Sequence, residues 1–167
     1  MDRSLPVLYL DYDGVLHPYP VYLTQDRTPE LSAPGHLFMH VPVLQRLLVP
    51  YAQRLPIVLS TSWVVYLGYE QTLAYLPESL RRLVIGATLQ PEQEEFDALT
   101  WRRLSRYQQI VQHAERNGIK RWLALDDNHD CWPEEQYGHL VLCNNMRGLG
   151  ARSTQLQLVN RLRELLS

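Results

Sequence analysis

Hydrophobic and polar positions fall into two regimes along the chain. Short apolar runs occur at Val7-Leu8-Tyr9-Leu10, Ile57-Val58-Leu59, Leu83-Val84-Ile85, Trp122-Leu123-Ala124-Leu125 and His139 to Leu142. Each stops at a polar cluster or a breaker, the pattern of a buried strand. Between them, apolar residues recur at helical spacing. Leu44, Leu47, Leu48 and Tyr51 follow Pro42, with Pro50 placed to distort or end that helix. A second helical stretch covers Val64 to about Tyr75 and is closed by Pro77. A third runs from Trp101 to Arg116, with Leu104, Tyr107, Ile110, Val111 and Ala114 on its apolar side and Asn117-Gly118 as its stop. The last covers Thr154 to Leu166. Strands alternating with helices predict an α/β fold: three Rossmann-like layers around a central parallel sheet of about five strands.

Two stretches fit neither regime. Pro18 to Pro42 carries Pro18, Pro20, Pro29, Pro34 and Gly35, which disfavour a long helix. A loop of that length in a compact domain reads as a functional flap. Pro91 to Asp97 is acidic and reads as a solvated loop. The remaining connections leave no room for a large cap domain. A single domain over residues 1–167 is expected, with the flap at about 18–42 and the Val64–Tyr75 stretch shaping access.

Composition narrows the class without naming a chemistry. With 46% hydrophobic and 20% charged residues, the 167-residue chain is neither disordered nor fibrous. A formal net charge of -2 carries no whole-chain signal for nucleic acid, although a local basic patch is compatible with it. The two cysteines, Cys131 and Cys143, form no metal-type pair and read as reduced thiols. No signal-peptide pattern or membrane-length apolar run is present. The expectation is a soluble, cytoplasmic protein with no membrane partner; no oligomeric state is specified.

The candidate chemistry lies where the strands stop. Asp11 and Asp13 are two apart, so an extended backbone puts them on one face. Alone they read equally well as an acidic turn or as carboxylates at the carboxyl end of a central strand, where open α/β sheets bind ligands. The second strand ends at Ser60, Thr61 and Ser62, and the fourth at Asp126 and Asp127. Parallel strands bring these ends to one edge. Carboxylates crowded there repel unless a cation intervenes, and Mg²⁺ suits such oxygen donors. A metal beside a free carboxylate suits phosphoryl transfer, with one carboxylate as nucleophile and another as acid and base.

The stretch Asp11-Tyr12-Asp13-Gly14-Val15 resembles the first motif of the haloacid dehalogenase-like hydrolases, and the later motifs follow in that family's order. The resemblance implies an aspartyl-phosphate on Asp11, acid/base work by Asp13, and a backbone carbonyl of Asp13 on Mg²⁺. Thr61 is similar to the phosphate-binding second motif, with Ser60 and Ser62 as neighbouring candidates. Asp126-Asp127 resembles the acidic fourth motif, with Asp127 as direct metal ligand and Asp126 in support. The usual third-motif Lys is missing. Lys120, the sole lysine, precedes the fourth strand at the opposite edge, while the helix from Trp101 opens at the active edge with Arg102, Arg103 and Arg106. The resemblance favours Arg106, which precedes Ile110 as the family's basic residue often precedes an apolar one, with a surface arginine as the bland account. Asp-Gly-Val-Leu-His-Pro, Ser-Thr-Ser-Trp, Ile-Gly-Ala-Thr, Leu-Asp-Asp and Arg-Gly-Leu-Gly resemble, more narrowly, the small branch linked to RNA-repair proteins.

The expected function is therefore a Mg²⁺-dependent phosphatase for a phosphorylated small molecule or a nucleic-acid end. The alternative is a catalytically silent phosphate- or nucleic-acid-binding module. A signalling receiver fits less well, because the acids fall after the wrong strands. Gly14 and His17 are candidate substrate contacts, with a solvated loop histidine as the bland account of His17. Asp130 is a candidate further acid. Trp63 and Trp132 are candidates for stacking a base.

Overall fold

The run Val7–Leu10 forms the central strand, β1, and all four side chains are buried. A continuous apolar strand of this kind needs cover on both faces of its sheet. The computed structural model describes residues 5–89 and 98–167; the acidic Pro91 to Asp97 stretch lies outside them. The expected flap contains an antiparallel hairpin, β2 (Val21–Leu23) and β3 (Pro29–Leu31). Thr24 closes its turn, its hydroxyl accepting from the Thr28 N–H at 3.1 Å. Helix α1 (Val41–Leu48) follows, with proline in its first turn, and Pro50 sits in a tight turn at its end.

Strand β4 (Ile57–Leu59) leads into α2 (Trp63–Leu67), α3 (Tyr69–Ala74) and α4 (Glu78–Arg81), then β5 (Val84–Ala87). The single helix expected from Val64 to Tyr75 is thus two. Gly68 separates them at φ +85° and ψ 162°, outside helical space and open to glycine. The helix expected from Trp101 to Arg116 is also two, α5 (Ala98–Arg103) and α6 (Arg106–Asn117). Ser105 starts the second: its hydroxyl accepts from the Gln108 N–H at 3.2 Å, and the Gln108 side chain accepts from the Ser105 N–H at 2.9 Å. This reciprocal capping box satisfies donors that a continuous helix would have bonded internally. The last elements are β6 (Trp122–Asp126), β7 (Leu140–Leu142) and α7 (Arg152–Leu166).

The five main strands form one parallel sheet in the order β5-β4-β1-β6-β7. Side-chain parity on β1 sorts the two covering layers. Leu8 and Leu10 join Leu44 and Leu48 of α1 and Leu158 and Leu162 of α7. Val7 and Tyr9 join Ile110 and Ala114 of α6. Each fully buried leucine here is worth about 1.5–3 kcal/mol, so apolar burial sets the register. On β6, Leu123 and Leu125 belong to the first core, and Trp122 and Ala124 to the second. Carried forward, this parity sends Asp11 and Asp126 to the α6 side. Among the described residues, no helix is long and apolar enough to cross a membrane.

Candidate active site

The strand ends arrive together at the carboxyl edge. The Leu10 carbonyl accepts from the Ser60 N–H at 2.8 Å, and the Asp11 N–H donates to the Leu125 carbonyl at 3.1 Å. A cavity of about 420 Å³ opens there, with Asp11, Asp13, Ser62, Arg106 and Asp127 in its walls. Arg106 is the first residue of α6, and it reaches two carboxylates at once. Its Nη2 lies 3.6 Å from Asp11 Oδ2, and its Nε lies 3.1 Å from Asp126 Oδ2. The Nε contact is close enough for an ion pair, but the N–H is not well aimed, so neither atom gains a directed hydrogen bond. Lys120 lies exposed before β6 begins, at the far edge.

Asp11 is 4% exposed, and its Oδ1 accepts the Tyr12 N–H at 2.8 Å. Burial pushes its carboxyl up to about 6; the Arg106 guanidinium opposes that rise, and Asp13 adds to it. The buried Thr61 hydroxyl also bonds the Asp11 carboxyl. Asp126 is pushed well above the usual carboxylate range by burial and by Asp11, while its Oδ1 accepts the Asn128 N–H at 2.9 Å. Asp127 rises to about 7 through burial and the neighbouring Asp11 and Asp13. Desolvation and mutual repulsion both penalise the ionised cluster.

Asp11, Asp126 and Asp127 can each offer a carboxylate oxygen within 4.8 Å of the others. Three hard oxygen donors of this kind fit a small divalent cation. Gly14 makes the arrangement possible. At φ +66° it takes a conformation open to glycine, and a Cβ there would overlap the Asp127 carboxylate. Gly14, expected as a substrate contact, is not among the described walls of the cavity; it makes room for Asp127.

Asp13 lives in different surroundings. Its Oδ1 takes two donors: Trp63 Nε1–H at 2.9 Å, and His17, whose Nε2 lies at 3.0 Å. His17 Nδ1 faces the Phe38 N–H at 3.3 Å and must accept from it, which leaves the Nε2 proton for Asp13. His17, expected as a substrate contact or a solvated loop residue, is not solvated, and it is not among the described walls of the cavity. It is fully buried among Phe38 and Trp63, with its Nε2 on Asp13. With Oδ1 occupied, Asp13 presents Oδ2 to the cavity as its free oxygen.

The three hydroxyls after β4 separate by place. Ser62 lines the cavity, Thr61 bonds Asp11, and the buried Ser60 hydroxyl has no partner among the described residues and is not among the described cavity walls. The Ser60 backbone still continues the sheet ladder from Leu10, and its side chain is buried. Asp130 is exposed on the cavity rim, outside the tight trio of acids. Neither tryptophan stacks in the open. Trp63 is 5% exposed and packs on Tyr12, Phe38 and Tyr75. Trp132 packs on Tyr107 and Trp122 in the α6-side core. The exposed rings at this edge are instead Tyr19, Tyr22 and Tyr66. Sequence reasoning passed over them; the signal was two tyrosines in a proline-rich flap, too apolar for a plain solvated loop.

No curated protein matches the chain. The family model described as the HAD domain in Swiss Army Knife RNA repair proteins matches residues 7–154. That span includes every acid of the cluster, Arg106 and the whole parallel sheet. The chain therefore belongs to the family of haloacid dehalogenase-like domains found in Swiss Army Knife RNA repair proteins.

Proposed function

We propose that the chain is a Mg²⁺-dependent phosphohydrolase that works through an aspartyl-phosphate, with a nucleotide or nucleic-acid phosphate end as its substrate. The observation that carries this reading is the opening of Asp11 and Asp13 onto one cavity whose other walls include Arg106 and Asp127. An Asp11 oxygen attacks phosphorus while the bond from phosphorus to the leaving oxygen breaks. Asp13 Oδ2 supplies the proton that the leaving oxygen takes up. In the second step the same atom takes a proton from water as the water oxygen attacks the aspartyl-phosphate. Phosphate leaves, and Asp11 is free again.

Arg106 lowers the cost of ionising Asp11 and offers a guanidinium to the phosphate oxygens, with the Ser62 hydroxyl in the same cavity and the Thr61 hydroxyl on Asp11. Asp11, Asp126 and Asp127 are the residues that would hold Mg²⁺, which would neutralise phosphate charge. The Trp63 and His17 donors fix the orientation of Asp13, so that its free oxygen is always the one in reach.

The test is phosphate release from small phosphomonoesters, nucleotides and 5′- or 3′-phosphorylated oligonucleotides. Turnover is expected with Mg²⁺, is lost with EDTA, and falls by about 1,000-fold or more in Asp11→Asn. Unchanged turnover in Asp11→Asn removes the nucleophile assignment. No turnover of any substrate makes the chain a silent phosphate-binding module.

A further inference from the structure

Beside the acidic cavity lies a second one, of about 350 Å³, between the β2–β3 hairpin and α2. That volume is within the range of small-molecule sites, about 300–1,000 Å³. The two cavities share Asp13, Tyr19 and Ser62. Asp11, Arg106 and Asp127 belong to the acidic cavity and not to the second. The second is lined instead by Tyr22 and Tyr66, together with Trp63 and the aliphatic side chains of Val21, Leu23 and Leu67. Tyr19, Tyr22 and Tyr66 are 48%, 60% and 45% exposed. Large rings grouped in the open beside a site mark a surface that is covered in use.

We infer that this tyrosine groove receives the nucleobase carried by the leaving group of the substrate. The inference rests on the hydrolase reading for its direction. In-line displacement puts the leaving oxygen opposite the attacking Asp11 oxygen, and that oxygen must come within reach of Asp13. Asp13 is the catalytic carboxylate common to both cavities. The group attached to the leaving oxygen therefore passes Asp13 into the groove, while the phosphate stays among Asp11, Arg106 and Asp127. The groove walls choose the occupant. Among the described residues, and apart from Asp13, they carry no charged carboxylate, ammonium or guanidinium to bind an anionic group. The walls include three exposed tyrosines, whose rings suit a flat ring, and base–aromatic stacking tolerates any base. Tyr66 is braced for this: the Arg102 guanidinium sits over its ring, 5.1 Å from the centre, and Arg27 bonds its carbonyl.

The experiment compares adenosine 5′- and 3′-monophosphate with ribose 5-phosphate, which lacks a base. The ratio of kcat/KM for nucleotide over sugar phosphate is expected to fall about tenfold in Tyr22→Ala and in Tyr66→Ala, and to be restored in Tyr22→Phe and Tyr66→Phe. A second arm measures calorimetric binding of the same nucleotides to Asp11→Asn protein, with and without Tyr22→Ala; about tenfold weaker binding is expected. Tyrosine-dependent nucleotide binding without turnover of any phosphoester keeps the groove and removes the hydrolase. Turnover whose nucleotide preference and binding ignore both alanine variants keeps the hydrolase and overturns the groove. Nucleotide binding no tighter than that of ribose 5-phosphate also overturns it.

Discussion

Two polar pairs join β1 to α6, two residues apart on the strand and seven apart on the helix. Tyr9 meets His113, and Asp11 meets Arg106. Strand parity and two helical turns put both pairs in the same seam. The Tyr9 hydroxyl lies 2.9 Å from His113 Nδ1, and the rings pack edge to face. Burial, with Arg116 nearby, pushes His113 down to about 4, so the pair is neutral and needs nothing further. Asp11 and Arg106 are charged and looser, at 3.6 Å, and they share their surroundings with Asp126 and Asp127. The first pair spends a buried polar group on holding a helix to a sheet. The second holds Asp11 at a cavity wall in a crowd of acids, where the neighbouring Asp126 Oδ2 is left without a directed hydrogen bond.

This contrast breaks most decisively at Asp11. Asp11→Asn is expected to cost about three orders of magnitude or more in turnover without lowering the melting temperature, because it removes one of several repelling carboxylates. A thermal melt beside the phosphate-release assay checks both halves; a lower melting temperature would mean that Asp11 is structural like Tyr9. Next, Arg106→Met is expected to lower kcat/KM by about 100-fold, the scale of losing one charged donor at a reacting phosphate. Arg106→Lys recovers only part of that, since a point charge cannot serve Asp11 and Asp126 with separate nitrogens.

The neutral pair answers in stability instead. A buried His113 that protonates only near 4 contributes stability that is intact above the ordinary histidine value of about 6.5 and is lost as pH falls toward 4. Urea denaturation is expected to show about 2 kcal/mol lost between pH 6.5 and 5 from this residue, and that part of the loss is absent in His113→Gln. The smallest effect is Tyr9→Phe, expected to cost about 1 kcal/mol of stability with kcat unchanged, since His113 loses its partner far from the cavity. A change in kcat there would join the two pairs into one device.

Much of the site was legible in the chain itself. Asp11 and Asp13 had to emerge on one side of a strand, and Asp126 had to stop another; position on a helix pointed to Arg106 over Lys120. The split of the helix after Leu104 was also written in Ser105-x-x-Gln108, a local capping pattern masked by the continuous apolar spacing around it. The clamp on Asp13 was not legible, because Trp63 lies fifty residues beyond it in sequence and the His17 proton is set by the backbone of Phe38.

By itself, then, the sequence determined the parallel sheet and the acids at its carboxyl edge. Apolar runs and breakers are local signals, and strand parity carries them to the last residue of each strand. Tertiary structure alone decided which carboxylate received which neighbours. Arg106 went to Asp11 and Asp126, two aromatic donors went to Asp13, and three tyrosines went to the groove beside it. Those assignments depend on long-range packing of α2, α6 and the hairpin against one edge, where desolvation and hydrogen bonding set what each carboxylate can do.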